Sequence, residues 1–206
     1  MNFIEYLDQQ ARQFKQTMDS FDHTTPVPVK DWGWENYCWS SPLWRSAHLE
    51  IFNQDRFMVV HLCIFPNVTD PSPIFGFDVI SGVNKVTGLF MDLSPTQDAT
   101  EPFNTVEYAR GRDLPDWGEI FSAHWIAVRP NDRELMDICN QTQSLLPKYV
   151  AQLGQKTGDI NIITASQNRY CSHQQKNPHT RRALDNLIGS DATEEFMSTV
   201  LFPQAK

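Results

Sequence analysis

The sequence predicts an α+β fold in which helices pack on an antiparallel β-sheet. Two observations predict this class. Runs rich in β-branched and aromatic residues, separated by short polar or proline-containing connections, fill the middle of the chain, and helical patterns dominate its last third. The 206 residues contain no repeat, low-complexity tract or long linker, so we expect one domain over residues 1–206.

The first element is predicted as an amphipathic helix over residues 3–21, where apolar side chains recur every three or four positions. Residues 24–30 contain two prolines and indicate a loop. Residues 31–44 are rich in aromatic rings, which either pack in the core or form the wall of a ligand site.

The middle of the chain is predicted as a meander of antiparallel strands. Its four β-rich runs are six to nine residues long, and they occupy residues 47–52, 57–65, 74–80 and 85–93. A further strand is predicted over residues 119–128.

Two helix starts can be located from capping signals. Asn131 with Glu134 forms a plausible capping box for a helix that Pro147 bends or interrupts. Asn177, followed by a proline at the first helical position, opens a helix that extends to about residue 187.

The composition excludes several classes of protein. Lys and Arg number 17 against 25 Asp and Glu, a formal net charge of −8, so nucleic acid is not an expected partner. No apolar run approaches the roughly 20 residues of a membrane-spanning helix, and the first residues lack the apolar stretch of a secretion signal. The four cysteines lack metal-binding spacing and are interpreted as buried thiols of a reducing, cytoplasmic compartment. Nucleotide-binding glycine motifs are also absent, so we expect neither a metal site nor a nucleotide held on a glycine-rich loop.

Asp78 is the most informative position. Its neighbours in residues 73–80 are, apart from one glycine, large apolar residues or proline. An ionised carboxylate is costly to bury in such surroundings, so the pKa of Asp78 should rise and make it a candidate proton donor. The alternatives are a solvent-facing Asp and an acid paired with a buried arginine.

His61 is the only polar side chain in residues 58–65. If His61 and Asp78 lie on neighbouring strands and face one cavity, they can share a proton and titrate as a pair. The alternative is a core histidine that only satisfies a hydrogen bond. Glu50 shares a strand face with His48, and it is either a third member of this group or part of an exposed edge strand.

Basic residues concentrate late in the chain. In a chain of net charge −8, this local excess indicates an acidic partner or an anionic ligand group, and the alternative is a solvated helix face. Arg110, Arg112 and Arg129 are further candidates for binding carboxylates, because the planar guanidinium matches that group. The late cluster comprises Arg169, Lys176, His179, Arg181 and Arg182.

Several of these residues lie in motifs that, in this order, closely resemble the ferredoxin-dependent bilin reductases. The resemblance spans roughly residues 47–202. The matching motifs are HLCIFP at 61–66, PIFGFD at 73–78, DLSP at 92–95, DLPDWG at 113–118, IFS at 120–122, YCSHQQ at 170–175, TRR at 180–182 and TVLF at 199–202.

The resemblance implies a three-layer α/β/α sandwich with a central antiparallel sheet. It implies four-electron reduction of the open-chain tetrapyrrole biliverdin IXα through radical intermediates, with reduced ferredoxin as electron donor and no bound metal or flavin. The partners would be ferredoxin and biliverdin IXα, with a heme oxygenase or a downstream bilin lyase as further candidates. A monomer is expected.

The resemblance also assigns roles to residues. Asp78 and His61, 17 residues apart as in the phycocyanobilin-forming branch, would be the central proton donor and its partner. Glu50 takes the place of the acid near the D-ring vinyl group. The substrate-binding set comprises Arg112 and Thr87 for the propionates, His48, Asn177, His179 and Thr180. The ferredoxin-docking set comprises Lys176, Arg181 and Arg182.

The chain departs from the family pattern at one position. Many members have an acid directly after the asparagine equivalent to Asn177 and then a lysine, whereas this chain has Pro178 and His179. A compact, phage-associated branch lacks this acid and forms phycoerythrobilin, so phycoerythrobilin is the favoured product and phycocyanobilin the alternative. A bilin carrier that retained only the pocket is a second alternative, although a carrier has no need of buried proton donors.

Overall fold

The computed structural model describes residues 2–54, 56–101, 103, 108, 111–116 and 118–206. These residues form a seven-stranded antiparallel sheet in which each strand is hydrogen-bonded to its neighbours in sequence. The strands are β1 Thr25–Val27, β2 Glu35–Ser41, β3 Trp44–Gln54, β4 Phe57–Pro66, β5 Ile74–Gly82, β6 Val86–Ser94 and β7 Ile126–Val128.

Helices cover the sheet. They are α1 Phe3–Asp19, α2 Asp132–Gln152, α3 Ile160–Gln175, α4 Pro178–Ile188 and α5 Ser190–Phe196. A 3₁₀ turn occupies Gly118–Ile120, and a π-helical turn, Met197–Leu201, continues α5.

Strand alternation divides the core into two layers. Leu62 of β4 and Phe77 of β5 point to one face, where they pack with Leu7 and Phe14 of α1 and Ile138 of α2. The intervening residues point to the other face, where Cys63 and Phe65 pack with Tyr170, Phe196 and Leu201 from α3, α5 and the π-helical turn. Helices therefore lie on both faces, which confirms the predicted α+β class and the α/β/α layering.

The capping predictions are confirmed. Asn131 and Glu134 form the reciprocal capping box of α2, and Asn177 caps α4 with Pro178 at its first turn. The first predicted helix ends at Asp19, two residues early. Pro147 lies inside α2 and does not interrupt it, so the expectation of an interrupted helix is wrong.

Two further predictions are wrong. Within the expected loop over residues 24–30, β1 pairs with β2, and its proline is tolerated because this strand lies at the sheet edge. Of the strand expected over residues 119–128, only β7 forms, because Asp92 binds Ser122 and holds the preceding backbone in a turn.

Within the described residues, no helix is both long and apolar enough to cross a membrane.

Candidate active site

Glu50, His61 and Asp78 lie side by side across three neighbouring strands. In the sheet register Glu50 of β3 is opposite His61 of β4, which is opposite Asp78 of β5. Side chains at directly opposed positions point to the same face, and their Cβ atoms lie about 5 Å apart. These three residues, called the acid row below, face the layer of α3, α5 and the π-helical turn.

The acid row opens to solvent at one end. Glu50 is 8 % exposed, whereas the Asp78 side chain is 41 % exposed and that of His61 13 %. A ligand entering between the sheet and the helical layer would therefore meet Asp78 first.

At neutral pH, Asp78 rather than His61 is the proton-holding member of this pair. The Nδ1 atom of His61 lies 3.9 Å from Oδ1 of Asp78, beyond hydrogen-bond distance. Burial lowers the pKa of His61 to about 4. Burial raises the pKa of Asp78 to about 7, and the nearby Arg112 guanidinium only partly offsets it.

Glu50 is the second proton-holding acid. Burial, reinforced by the neighbouring Asp78 charge, raises the pKa of Glu50 to about 8, and the Trp34 indole N–H beside it acts in the opposite direction. Glu50 is therefore mainly protonated at neutral pH. The row thus places two proton-donating carboxyl groups on either side of one neutral imidazole.

His48 lies on β3 two residues before Glu50, so its side chain points to the same face of the sheet. A hydrogen bond to Asn36 holds its ring in one tautomer. Asn36 donates its Nδ2–H to the Trp34 carbonyl, which leaves Asn36 Oδ1 to accept from His48 Nε2 at 2.9 Å. His48 Nδ1 is therefore unprotonated. His48 Nδ1 and His61 Nε2 are buried without a hydrogen-bond partner among the described residues, and the two rings are 6.2 Å apart. These nitrogens can bond to a ligand or an ordered water.

Aromatic rings hold the imidazoles from the helical side. Phe196 packs edge-on against His48, with ring centroids 6.2 Å apart, and Phe202 against His61 at 5.8 Å. These two phenylalanines flank the π-helical turn, a feature common at functional sites. The sequence assigned no role to either phenylalanine or to Asn36, although Phe202 ends the TVLF motif, because no local pattern reveals a π-helical turn or a cross-strand hydrogen bond.

Arg112 and Thr87 lie beyond the Asp78 end of the row. The Arg112 backbone N–H donates to the Ala127 carbonyl of β7 at 2.7 Å, and its side chain is exposed. Thr87 is also exposed, and its hydroxyl donates to the Ile80 carbonyl at 3.1 Å. Arg129 is exposed directly after β7. The predicted Arg110, and Trp117 of the DLPDWG motif, lie outside the described residues.

The residues predicted on α4 stand apart from the acid row. Asn177 accepts a hydrogen bond from the backbone N–H of His179, which is exposed, and Thr180 is partly buried. Among the described residues, no hydrogen bond or ring contact links Asn177, His179 or Thr180 to the acid row. The structure therefore brings together Glu50, His61, Asp78 and His48, and leaves the α4 set nearer the surface.

The predicted docking cations differ in their environment. Lys176 and Arg182 are exposed. Arg181 instead donates to the Gln175 carbonyl at 2.5 Å and forms an ion pair with Glu194 at 2.8 Å, which ties α4 to α5. Across the described ranges, no group of three His, Cys, Asp or Glu side chains is arranged to hold a metal ion.

Comparison with known proteins gives a consistent set of similarities. Residues 13–203 match the family model described as ferredoxin-dependent bilin reductase. The chain is 30% identical over 187 residues to phycocyanobilin:ferredoxin oxidoreductase of Synechococcus elongatus, covering 82% of this chain and 75% of that one. It is 31% identical over 185 residues to the protein of that name from Trichodesmium erythraeum, with the same coverages.

Two solved structures share the fold. The structure of PcyX aligns with a TM-score of 0.71 at 25% identity, over 97% of this chain and 99% of that one. Phytochromobilin synthase from tomato, solved in complex with biliverdin, aligns with a TM-score of 0.72 at 14% identity, over 96% of this chain and 82% of that one. The second likeness concerns the fold alone.

Proposed function

Since this chain belongs to the ferredoxin-dependent bilin reductase family, we propose that it reduces biliverdin IXα by four electrons to a phycobilin, with phycoerythrobilin as the favoured product. The chain is a ferredoxin-dependent bilin oxidoreductase, so the electrons come from reduced ferredoxin. Ferredoxin delivers them singly, and four protons must accompany the four electrons. The substrate then passes through radical intermediates, and the protein supplies and positions protons.

The acid row is the observation that carries this proposal. Asp78 is the central proton donor because its carboxyl group holds a proton near neutral pH and is the accessible end of the row. Neutral His61 beside it can accept and return a proton. Glu50 donates to a second position on the substrate, since its pKa of about 8 keeps it protonated.

Substrate binding is assigned to groups around the row. The exposed Arg112 holds a propionate by charge-assisted hydrogen bonds, and Thr87 lies nearby. His48 offers its unprotonated Nδ1 to an N–H donor of the ligand or to a water. Asn177, His179 and Thr180 of α4, which lie nearer the surface and apart from the row, are proposed to contact the outer part of the bilin.

Ferredoxin docks at the late basic cluster. An acidic partner needs a local basic surface on a chain of net charge −8, and the exposed Lys176 and Arg182 provide it. Arg181 contributes less, because Glu194 already neutralises it. The reaction is placed in the cytoplasm of a cyanobacterium or a phage-infected host cell, where four free thiols are stable.

The product assignment depends on α4. Pro178 is exposed at the first turn of α4 and, unlike the acid of many relatives, carries no transferable proton. The near-complete mutual coverage with PcyX supports a chain of compact length, as we expect for the phycoerythrobilin-forming branch. Phycocyanobilin is the alternative, since relatives about 30% identical are named phycocyanobilin:ferredoxin oxidoreductases.

An anaerobic assay with biliverdin and photoreduced ferredoxin tests the proposal. We expect biliverdin absorbance to be lost through transient radical species, and chromatography to identify phycoerythrobilin. Phycocyanobilin as the end product would favour the alternative. Tight binding of biliverdin without any spectral change on addition of reduced ferredoxin would indicate a carrier and overturn the enzymatic proposal.

A further inference from the structure

We propose that Gly88 is a positioning residue: the missing side chain at this buried sheet position creates the space in which the Arg112 guanidinium lies. The inference rests on the proposed function, because it assumes that Arg112 holds a carboxylate of the substrate. It extends that function to a residue with no reactive group.

The register places Gly88 on the same sheet face as the acid row. Gly88 of β6 is opposite Ile80 of β5, and two positions along the same strands Phe90 is opposite Asp78. Val79 and Leu89, which lie between these pairs, are in the core on the α1 and α2 side. Gly88 therefore faces the cleft together with Asp78.

Space, rather than backbone conformation, requires a glycine at position 88. Positive φ angles in the described residues occur at Gly33, Gly154 and Gly189 but not at Gly88, so an alanine there causes no backbone strain. Its methyl group would, however, stand 2.5 Å from Nη1 and 3.8 Å from Cζ of Arg112. No other described residue, apart from the chain neighbours of Gly88, would come within 4 Å.

The methyl group would move the guanidinium without moving the Arg112 backbone. The Arg112 N–H donates to the Ala127 carbonyl, and the preceding Gly111 forms a bridge with Val128, so the backbone is tied to β7. The displacement then falls on the end of a flexible side chain. We expect Gly88→Ala to fold normally but to present Arg112 in a different place.

The position of this cation affects Asp78 as well as the ligand. Among the described residues, the charged or titratable groups near Asp78 on this face include His61 from the neighbouring strand β4, Glu50 from β3 beyond it and Arg112 from the segment beside β7. Arg112 lowers the pKa of Asp78, so moving the guanidinium away should raise that pKa further. Gly88 therefore positions one cation that affects both carboxylate binding and proton supply.

A double-mutant cycle with Gly88→Ala, Arg112→Gln and the double variant tests the inference. We expect Gly88→Ala to raise the biliverdin dissociation constant, measured by absorbance titration, by about tenfold, the order expected for one charge-assisted hydrogen bond. The double variant should bind no more weakly than Arg112→Gln alone. The matched control is Gly82→Ala, where the new methyl group would make only ordinary contacts at 3.7 and 3.9 Å.

A second readout needs no bilin. In the ligand-free protein, the ¹³C shift of the Asp78 carboxyl should titrate at higher pH in Gly88→Ala and in Arg112→Gln, with no further shift in the double variant. Unchanged binding and titration in Gly88→Ala, additive effects in the double variant, or a large loss of melting temperature would each overturn the inference. A wild-type protein that does not bind biliverdin would overturn the proposed function instead, and the Asp78 titration would still decide the role of Gly88.

Discussion

Asp78 and His61 occupy directly opposed positions on β5 and β4, yet Oδ1 of Asp78 and Nδ1 of His61 are 3.9 Å apart. At this distance they do not share a hydrogen bond, so each remains able to bond to a third group. Burial raises the pKa of the acid and lowers that of the imidazole, so the proton stays on the more accessible partner. A bilin in the cleft would therefore meet, at the mouth, a carboxyl group that is protonated below about pH 7, with a neutral base beside it.

Removal of the Asp78 proton should stop the chemistry and spare binding. We expect Asp78→Asn to lower the turnover rate by at least about 100-fold, within the usual contribution of a general acid, while the biliverdin dissociation constant changes only a few-fold. Single-turnover spectra with reduced ferredoxin check this, and a radical species should persist. Asp98→Asn, at an exposed position, is the matched control. Near wild-type turnover in Asp78→Asn would remove Asp78 from the mechanism.

The same carboxyl group predicts the alkaline limb of the pH–rate profile. A proton donor acts in its protonated form, which is populated below its pKa and lost above it. Because the pKa of Asp78 is about 7, kcat/KM for biliverdin should decline as pH rises through about 7. Stopped-flow rates at saturating reduced ferredoxin between pH 5.5 and 9 check this, because ferredoxin binding is then held constant. A flat profile over this range would contradict the assignment.

The face on which each side chain of the acid row lies can be predicted from the sequence, because side chains alternate between the two faces of a strand with a period of two residues. His61 and Asp78 each interrupt an apolar run, and the two-residue repeat assigns each side chain to a face. Their pairing with Glu50 does not follow from period alone, since a shift of one residue would turn a strand over. The resemblance to the family assigns the three residues to one site without a strand register, and the register is seen only in the structure.

The parts that could not be predicted depend on contacts distant in sequence. Ser122 lies in a run that reads as a strand, but it is tied to Asp92, 30 residues away, in a turn. Pro26 indicates a loop, yet strand pairing at the sheet edge outweighs that local preference. Arg181 lies in a basic cluster that indicates a docking surface, and only the structure shows that it forms an ion pair with Glu194.

Neutralising Glu50 should stabilise the protein at high pH. Its pKa rises from 4.5 in the unfolded chain to about 8 in the folded one, so folding opposes ionisation, and stability is lost as pH rises between these values. Glu50→Gln should therefore raise the melting temperature at pH 8.5 by several degrees, since each kcal/mol corresponds to about 2–4 °C for a chain of this size. The gain should vanish at pH 4.

Differential scanning calorimetry across this pH range checks that prediction. The exposed Glu101→Gln is its control, and it should show no such pH-dependent gain. A Glu50→Gln variant that is equally destabilised at both pH values would show that the carboxyl group is held by hydrogen bonds rather than penalised by burial.

Charge reversal at the exposed cations should weaken ferredoxin docking selectively. We expect Lys176→Glu and Arg182→Glu to raise the KM for ferredoxin several-fold at low ionic strength, with a smaller effect at high salt, and to leave the biliverdin dissociation constant unchanged. Lys148→Glu, on the exposed side of α2 in the other helical layer, is the matched control. An unchanged KM in both variants would place the electron-transfer surface elsewhere.

Asp92 should be required for the stability of the segment over residues 118–125, which carries Ser122 and Phe121. This buried carboxylate accepts from the Ser94 hydroxyl at 2.5 Å and from the Ser122 backbone N–H at 3.0 Å and hydroxyl at 2.6 Å. The neighbouring Phe121 packs on Phe90, with ring centroids 4.7 Å apart. The Asp92–Ser122 contact therefore sets the position of Phe121 against Phe90, the residue opposite Asp78 in the sheet register.

An amide at position 92 cannot satisfy all three donors, because its NH₂ group would face one of them. The Ser122 hydroxyl already accepts from the His124 N–H at 3.0 Å and could accept a second bond from the amide, but its own O–H would then lose the Asp92 oxygen to which it donates. We expect Asp92→Asn to lower the free energy of unfolding by about 1–3 kcal/mol, the usual cost of an unsatisfied buried polar group. Chemical denaturation checks this against the exposed Asp98→Asn. Unchanged stability would mean that residues 118–125 are held by other contacts, and Phe121 would then keep its place without Asp92.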